Sequence, residues 1–369
     1  MKGSFLQKNL IEGVAKVFHL ANSEKGSLPI LGNILLRAEK GLLYLISTNL
    51  EIAIETYIRG KIDVPGSFTI PATLFYSHLN FLPNDSLSLE VRGGELCLEY
   101  KTGETKIKGL PAEDFPIIPR LEKKNGIKVS GKELKKALQQ VVIACSASEV
   151  RPEIGGVLFQ QKDKNFILVG TDSYRLAERE LPFKEISGSR EVGGKILIPA
   201  KTCQELLRII DEEDTEMFFS ESQVIFSQGS TSLISRIIQA EFPNYQEIIP
   251  KNFKTKAIVN RDELIKTIRG ALPFSKTGVN DILLGFFPER GTIVVSSLNS
   301  QTGETKLEMK AEIFGQKNSL SFNYRYILEG LANISSNEVS LEIIDDSSPA
   351  ILKPTSEEKF LYLLMPIKV

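Results

Sequence analysis

The chain of 369 residues is poor in the side chains that most often do chemistry: it has two histidines, three cysteines and no tryptophan. His19 and His78 sit on separate amphipathic segments, and neither has the partners of a general-base or zinc-ligand pattern. Cys97, Cys145 and Cys203 lack CxxC spacing and a nearby histidine motif, which points to core filler in a reducing compartment rather than to nucleophiles. The acidic run Asp211-Glu212-Glu213-Asp214 has the charge for a cation site. It follows a helical pattern and precedes a strand, where a solvated turn is expected. Gly155-Gly156 and Gly193-Gly194 lack the spacing of a phosphate loop. No catalytic site, metal or cofactor is expected.

Two segments are less easily explained. VGTDSYRLAERE at 169–180 carries an apolar strand into Thr171, Asp172, Ser173, Tyr174 and Arg175. Asp and Ser suit a tight hairpin; an enzyme of unknown type would have to use this turn, with turnover depending on Asp172 or Arg175. The C-terminus, FLYLLMPIKV, is an apolar strand ending Met365-Pro366-Ile367-Lys368-Val369. Chain ends are usually polar and frayed, so this one is expected to lie in a groove, closing the core or lining a pocket.

The elements that would position these segments occur three times. Amphipathic helices begin near positions 4, 130 and 260, and each is followed by an apolar strand pair, a second helix and two further strands. In the second copy Leu134, Ala137, Leu138, Val141 and Val142 form an apolar stripe opposite Lys132, Lys135, Lys136 and Gln139. In the third, Leu264, Ile265, Ile268 and Leu272 face in, and Lys266 and Arg269 face out. A repeat this long can hold its own core. The fold class is therefore α+β: three similar domains, each with two helices packed on a largely antiparallel sheet. The Phe-Pro and Ile-Pro pairs of AEDFPIIP and AEFPNYQEIIP punctuate the chain, which gives domains at 1–122, 123–251 and 252–369. The stretch Ser187–Gly194 reads as a surface turn. No run approaches the roughly 20 apolar residues of a membrane span, and the N-terminus does not read as a secretory signal. A net charge of −1 argues against a highly basic nucleic-acid binder but leaves room for local basic faces.

Taken in order, LPILGNILL at 28–36, TIPATLFYSHLNFLP at 69–83, LPAEDFPIIP at 110–119, RPEIGGVLF at 151–159, GTDSYRLA at 170–177, AEFPNYQEIIP at 240–250, SFNYRYILEGL at 321–331 and the terminal MPIKV span the chain. Together with the repeat, they resemble the bacterial DNA polymerase III beta subunit family, the replicative sliding clamps. The resemblance implies a DNA clamp fold. Two three-domain subunits would join head to tail in a homodimeric ring, helices inside and sheets outside, around duplex DNA. It implies a non-catalytic processivity factor without cofactors. The implied partners are the replicative polymerase alpha subunit, the clamp loader and other replication and repair proteins carrying a short clamp-binding peptide. It also implies a cytoplasmic, nucleoid-associated protein; a paralogue with a specialised or resistance role is the alternative.

Carried onto this chain, the family's peptide pocket would involve Ile154, Thr171, Ser173, Tyr174, Arg175, Leu176, Pro243, Ile248, Val279, Asn323, Tyr326, Leu363, Met365, Pro366 and Ile367. Ser173-Tyr174 stands where the family often has Gly-His. DNA-facing candidates are Lys25, Arg151, Lys132, Lys135, Lys136, Lys201, Lys266 and Arg269. The subunit contact would involve Leu74, Ile107, Pro273 and Phe274.

Overall fold

The structure, a computed structural model, describes residues 1–23, 28–118, 123, 126–148, 150–186, 194–276, 278–356 and 358–368. Lys25, Val369 and most of the turn expected at 187–194 lie outside these residues. Six α-helices occur among the described residues: α1 Gln7–Ser23, α2 Ala72–Phe81, α3 Gly131–Val142, α4 Ala200–Ile209, α5 Arg261–Ala271 and α6 Tyr324–Ala332.

The element order repeats three times. In each copy a strand enters the first helix (Lys2–Leu6, Ile127–Ser130, Thr255–Asn260). A four-strand group follows, ending at the second helix: Asn33–Glu39, Leu42–Thr48, Ile52–Arg59 and Gly66–Pro71 in the first copy. Its counterparts are Gly156–Lys162, Asn165–Thr171, Arg175–Ile186 and Lys195–Pro199, then Asp281–Phe287, Thr292–Asn299, Gly303–Lys310 and Asn318–Asn323. Three strands close each copy, the last being Gly103–Lys108, Thr231–Arg236 and Phe360–Leu364.

The chain forms two compact units, one of residues 1–135, 183–192 and 201–237, the other of residues 136–182, 193–200 and 238–369. The division cuts through the middle copy because its two halves join different sheets. In the first unit, Thr231–Arg236 pairs antiparallel with the first copy's Ile52–Arg59, with Ile234 opposite Ala53. In the second, Phe360–Leu364 pairs antiparallel with Arg175–Ile186, with Leu363 opposite Leu176. The same strand of each repeat thus receives the last strand of the next.

Helix burial follows the apolar period. Leu134, Ala137, Leu138 and Val141 of α3 are fully buried, as are Leu264, Ile268 and Ala271 of α5, while Val142, Ile265 and Leu272 are half-buried at the stripe edges. In the second unit, a Cβ on Gly170 would lie 2.5 Å from the Val141 carbonyl oxygen and 2.9 Å from Cys145 Sγ. Glycine lets the C-terminal end of α3 sit directly on the strand that leads into the Thr171–Arg175 turn.

Candidate functional site

The turn at 171–175 is a tightly bonded hairpin. Thr171 Oγ1 donates to the Arg175 carbonyl at 2.7 Å, and Asp172 Oδ1 accepts from the backbone N–H groups of Tyr174 at 2.9 Å and Arg175 at 3.0 Å. Asp172 Oδ2 accepts from Arg175 Nε at 3.0 Å. Both oxygens of the one carboxylate that an enzyme reading would need are therefore occupied in shaping the turn. Ser173 has φ +77°, in the left-handed region that favours glycine. This bond set leaves Tyr174 exposed at the tip.

The apolar C-terminus runs beside the hairpin. Phe360–Leu364 continues the Arg175–Arg179 edge; Met365 N–H then donates to the Tyr174 carbonyl at 2.9 Å, and Ile367 N–H to the Ser321 carbonyl at 2.7 Å. The end of the chain is thus fixed by backbone bonds to two different segments. Leu176 and Leu363 lie beneath, in a buried cluster with Leu158, Val169, Leu197, Phe242 and Tyr245; Met365 and Ile249 pack on its margin. Pro243 and Ile248 flank the cluster on the exposed turn that holds Tyr245.

Arg175 ties the hairpin to α6. Its guanidinium pairs with Asp172 and Glu329, donates to the Tyr362 hydroxyl at 3.3 Å and lies 4.4 Å from the Tyr326 ring centroid. The N-terminus of α6 is capped by Asn323 Oδ1, which accepts from Arg325 N–H at 3.0 Å. Asn323 lies opposite Asp281 across a strand pair, two residues beyond the exposed Val279. The second unit therefore gathers the hairpin, the C-terminal tail and Tyr326 directly. Val279, Asn323 and Ile367 collect around the strand end that starts α6. Ile154 is buried in the turn Pro152–Ile154, and Arg151 links that turn to the hairpin through a 2.9 Å bond to Ser173 Oγ.

Sequence reading missed Glu329 and Tyr362, the long-range partners of Arg175, and Glu358. Glu358 receives Gln140 Nε2 at 2.6 Å and Lys136 Nζ at 3.0 Å on one oxygen, and the Ser335 hydroxyl at 3.1 Å on the other. Burial alone would raise this carboxyl. The bonds from Gln140 and Lys136, the Lys136 charge and the Ser335 bond outweigh burial and hold it below the ordinary range. Cys145 is pushed up to about 12, first by desolvation and then by the charge of Asp172, so it is an inert thiol at neutral pH.

Lys132 on α3, Lys201 on α4, and Lys266 and Arg269 on α5 are exposed. Lys135 donates to the Ile210 carbonyl at 3.1 Å, just past the C-terminus of α4. Lys136 pairs with Glu358 at 3.0 Å, but that carboxylate is shared with Arg179 at 3.2 Å, so the three groups together keep one positive charge. The Arg151 guanidinium is shared between Glu153 at 2.9 Å and the hairpin, so it adds little net charge. His19 Nδ1 lies 2.9 Å from Glu205 on α4, which makes it a core-edge contact. Among the described residues no group of three or more His, Cys, Asp or Glu side chains is placed to hold a metal, and no helix is long and apolar enough to cross a membrane.

At the candidate subunit contact, Leu74 of α2 and Pro273 are exposed and Phe274 is half-buried. Ile107 is a correction to the expected subunit contact. It is 2% exposed and points into its own domain, while Lys106 and Lys108 on either side point outward. Alternation along a strand forces this: one face of Gly103–Lys108 packs and the other is free.

Three profiles of the DNA polymerase III beta subunit match the chain in order: the N-terminal domain over residues 1–119, the central domain over 128–244 and the C-terminal domain over 246–368. The chain is 29% identical to the beta sliding clamp of Staphylococcus aureus strain Mu50 over 360 residues, which covers 94% of each protein. It is 26% identical to that of Synechococcus elongatus over 348 residues, 92% of each. Its fold is similar to that of the DNA polymerase sliding clamp from Bacillus subtilis, with a TM-score of 0.94 at 26% identity over 100% of this chain and 99% of that one. It is also similar to the sliding clamp from Bartonella birtlesii bound to griselimycin, with a TM-score of 0.93 at 26% identity over 100% of both. The repeat, its sheet pairing and profiles that together span nearly every residue agree: this chain belongs to the DNA polymerase III beta subunit family.

Proposed function

We propose that the chain is a DNA sliding clamp, three domains at 1–122, 123–251 and 252–369, that closes head to tail with a second copy around duplex DNA. It raises the processivity of a replicative polymerase by topology and makes or breaks no bond itself. The observation that carries this reading is a pair of incomplete sheets. Each copy's entry strand and three closing strands form a five-strand group with one further strand: Lys61–Val64, the far end of Arg175–Ile186, and Glu312–Gly315. Within the chain, the four-strand group of one copy twice joins the five-strand group of the next. The third copy's four-strand group has no such partner and ends at the open edge Gly303–Lys310; the first copy's five-strand group ends at the open edge Gly103–Lys108. Joining these edges between two chains repeats the internal junction and removes two exposed edges, which are an association hazard if left open.

The repeat also supplies the register. Glu304 lies opposite Leu298, as Leu176 lies opposite Thr171 and Ala53 opposite Thr48. Lys106 lies opposite Cys97, as Ile234 lies opposite Ile225 and Leu363 opposite Ile351. Since Ala53 faces Ile234 and Leu176 faces Leu363, Glu304 should face Lys106 of the second chain. Antiparallel geometry then sets Lys306 against Glu104 and Thr305 against Thr105. Both GETK segments are thus complementary in charge, with Leu74, Pro273 and Phe274 beside them.

Lys132, Lys135, Lys201, Lys266 and Arg269 are the proposed DNA face. They offer phosphate attraction without base readout, which permits sliding. The hairpin and C-terminal tail of the second unit are the proposed pocket for a peptide shared by polymerase, clamp loader and repair proteins, a mostly apolar site with a few fixed polar groups. The test is a Thr105→Cys, Thr305→Cys double variant under mild oxidation. A covalent species of two chains is expected; absence of cross-linking or a ladder of longer polymers contradicts the closed register.

A further inference from the structure

We propose a second peptide-docking groove in the first unit, at the repeat position of the cluster that floors the proposed pocket. Leu35, Tyr44, Ile46, Phe115 and Ile118 pack together there. They hold the places of Leu158, Ile167, Val169, Phe242 and Tyr245 in the second unit, where the same cluster is filled. The difference comes from size. Ile118 replaces Tyr245, Ala53 replaces Leu176, and Ser232 replaces Leu361. The smaller side chains leave a cavity of about 650 Å³ between Leu35, Ile46, Phe115, Ile225 and Ile234, the size of a site for a few apolar side chains.

The rim specifies the occupant. Ile117 on the lip is 95% exposed, a large apolar side chain with nothing over it among the described residues. Lys123 is held across the rim by the hydroxyls of Ser227 at 2.9 Å and Ser232 at 3.1 Å, and meets no carboxylate among the described residues. Arg37 is balanced by Glu39 and Glu55. The groove therefore joins apolar subsites to an ammonium that is held by two hydroxyls and meets no carboxylate among the described residues. That chemistry fits a short extended peptide with two or three apolar anchors and a carboxylate at the lip. This site stands independently of the pocket in the second unit, and one chain could hold two peptides.

The 369-residue chain is titrated with a fluorescein-labelled octapeptide containing two leucines, one phenylalanine and two aspartates, in four versions: wild type, Met365→Asp, Ile117→Asp with Lys123→Glu, and all three changes together. The altered residues at the groove are exposed, so the fold is expected to survive. Isoleucine methyl resonances of the groove are followed in parallel. Expected results are binding that persists in Met365→Asp, weakens by about tenfold or more when the Ile117 and Lys123 changes are added to that background, and shifts the Ile46 and Ile234 methyls. Loss of all binding in Met365→Asp overturns the second groove and leaves the first pocket standing. Binding untouched by Met365→Asp but lost in the groove variant supports the groove and overturns the first pocket. Unmoved groove methyls at saturating peptide also overturn the proposal.

Discussion

The guanidinium of Arg175 lies over the ring of Tyr326, 4.4 Å from its centroid, while its nitrogens pair with Asp172 and Glu329. One side chain thereby binds the hairpin of the second repeat to α6 of the third. Replacing Arg175 with alanine leaves the Asp172 carboxylate without its ion-pair partner and removes the stacking. We expect a loss of about 2 kcal/mol, seen as a lower Tm, together with weaker peptide binding because the hairpin loses its shape. Arg175→Lys should recover little of either, since an ammonium cannot reach both carboxylates and stack.

Removing residues 365–369 deletes the backbone bonds from Met365 to Tyr174 and from Ile367 to Ser321 but leaves the paired strand Phe360–Leu364 intact. Peptide affinity at the second-unit pocket should fall by about thirtyfold, the usual cost of losing an apolar anchor. The dimer should remain, because its proposed edges lie elsewhere. Fluorescence anisotropy in the Ile117→Asp, Lys123→Glu background, beside sedimentation velocity, measures both; unchanged affinity would reduce the tail to core closure.

The proposed subunit register makes a reciprocal charge test possible. Lys106→Glu would set like charges against Glu304 of the second chain and should weaken the dimer by about fivefold, given roughly 1 kcal/mol for such a reversal across a strand pair. Adding Glu304→Lys should restore it. Ile107→Asp should instead unfold the first domain, because that side chain is buried in its own core. Sedimentation equilibrium separates these results, and failure of the second change to rescue the first would place the register elsewhere.

Glu358 supplies a pH dependence. Its carboxyl titrates below the ordinary value of 4.5, so the folded chain holds fewer protons there than the unfolded one. Its contribution is complete above that ordinary value and is lost as pH falls through the folded value. Thermal melts from pH 7 to pH 3 should show Glu358→Gln lower in Tm than the wild type at neutral pH, with the gap closing in acid. A gap that widens in acid would reverse the sign.

The repeat was legible because helical periodicity, strand alternation and the Phe-Pro punctuation are local patterns. Ser173 was legible in part: it stands where the resemblance often puts glycine, and the chain does adopt φ +77°. Ile107 could have been placed correctly, since Lys106 and Lys108 flank it and a two-residue period sends it inward. The ion pair of Lys136 could not be foreseen. Its partner Glu358 lies in another repeat, and an ion pair across such a separation leaves no periodic trace. Glu329 and Tyr362 escaped for the same reason, being joined to Arg175 only by the fold.

The central claim is that two chains encircle DNA. The Thr105→Cys, Thr305→Cys variant, loaded onto nicked circular DNA and then oxidised, should stay bound through a high-salt gel-filtration column, where phosphate contacts alone are screened. Cutting the circle once should release it. Equal loss from intact and cut DNA, or equal retention on both, would contradict the account.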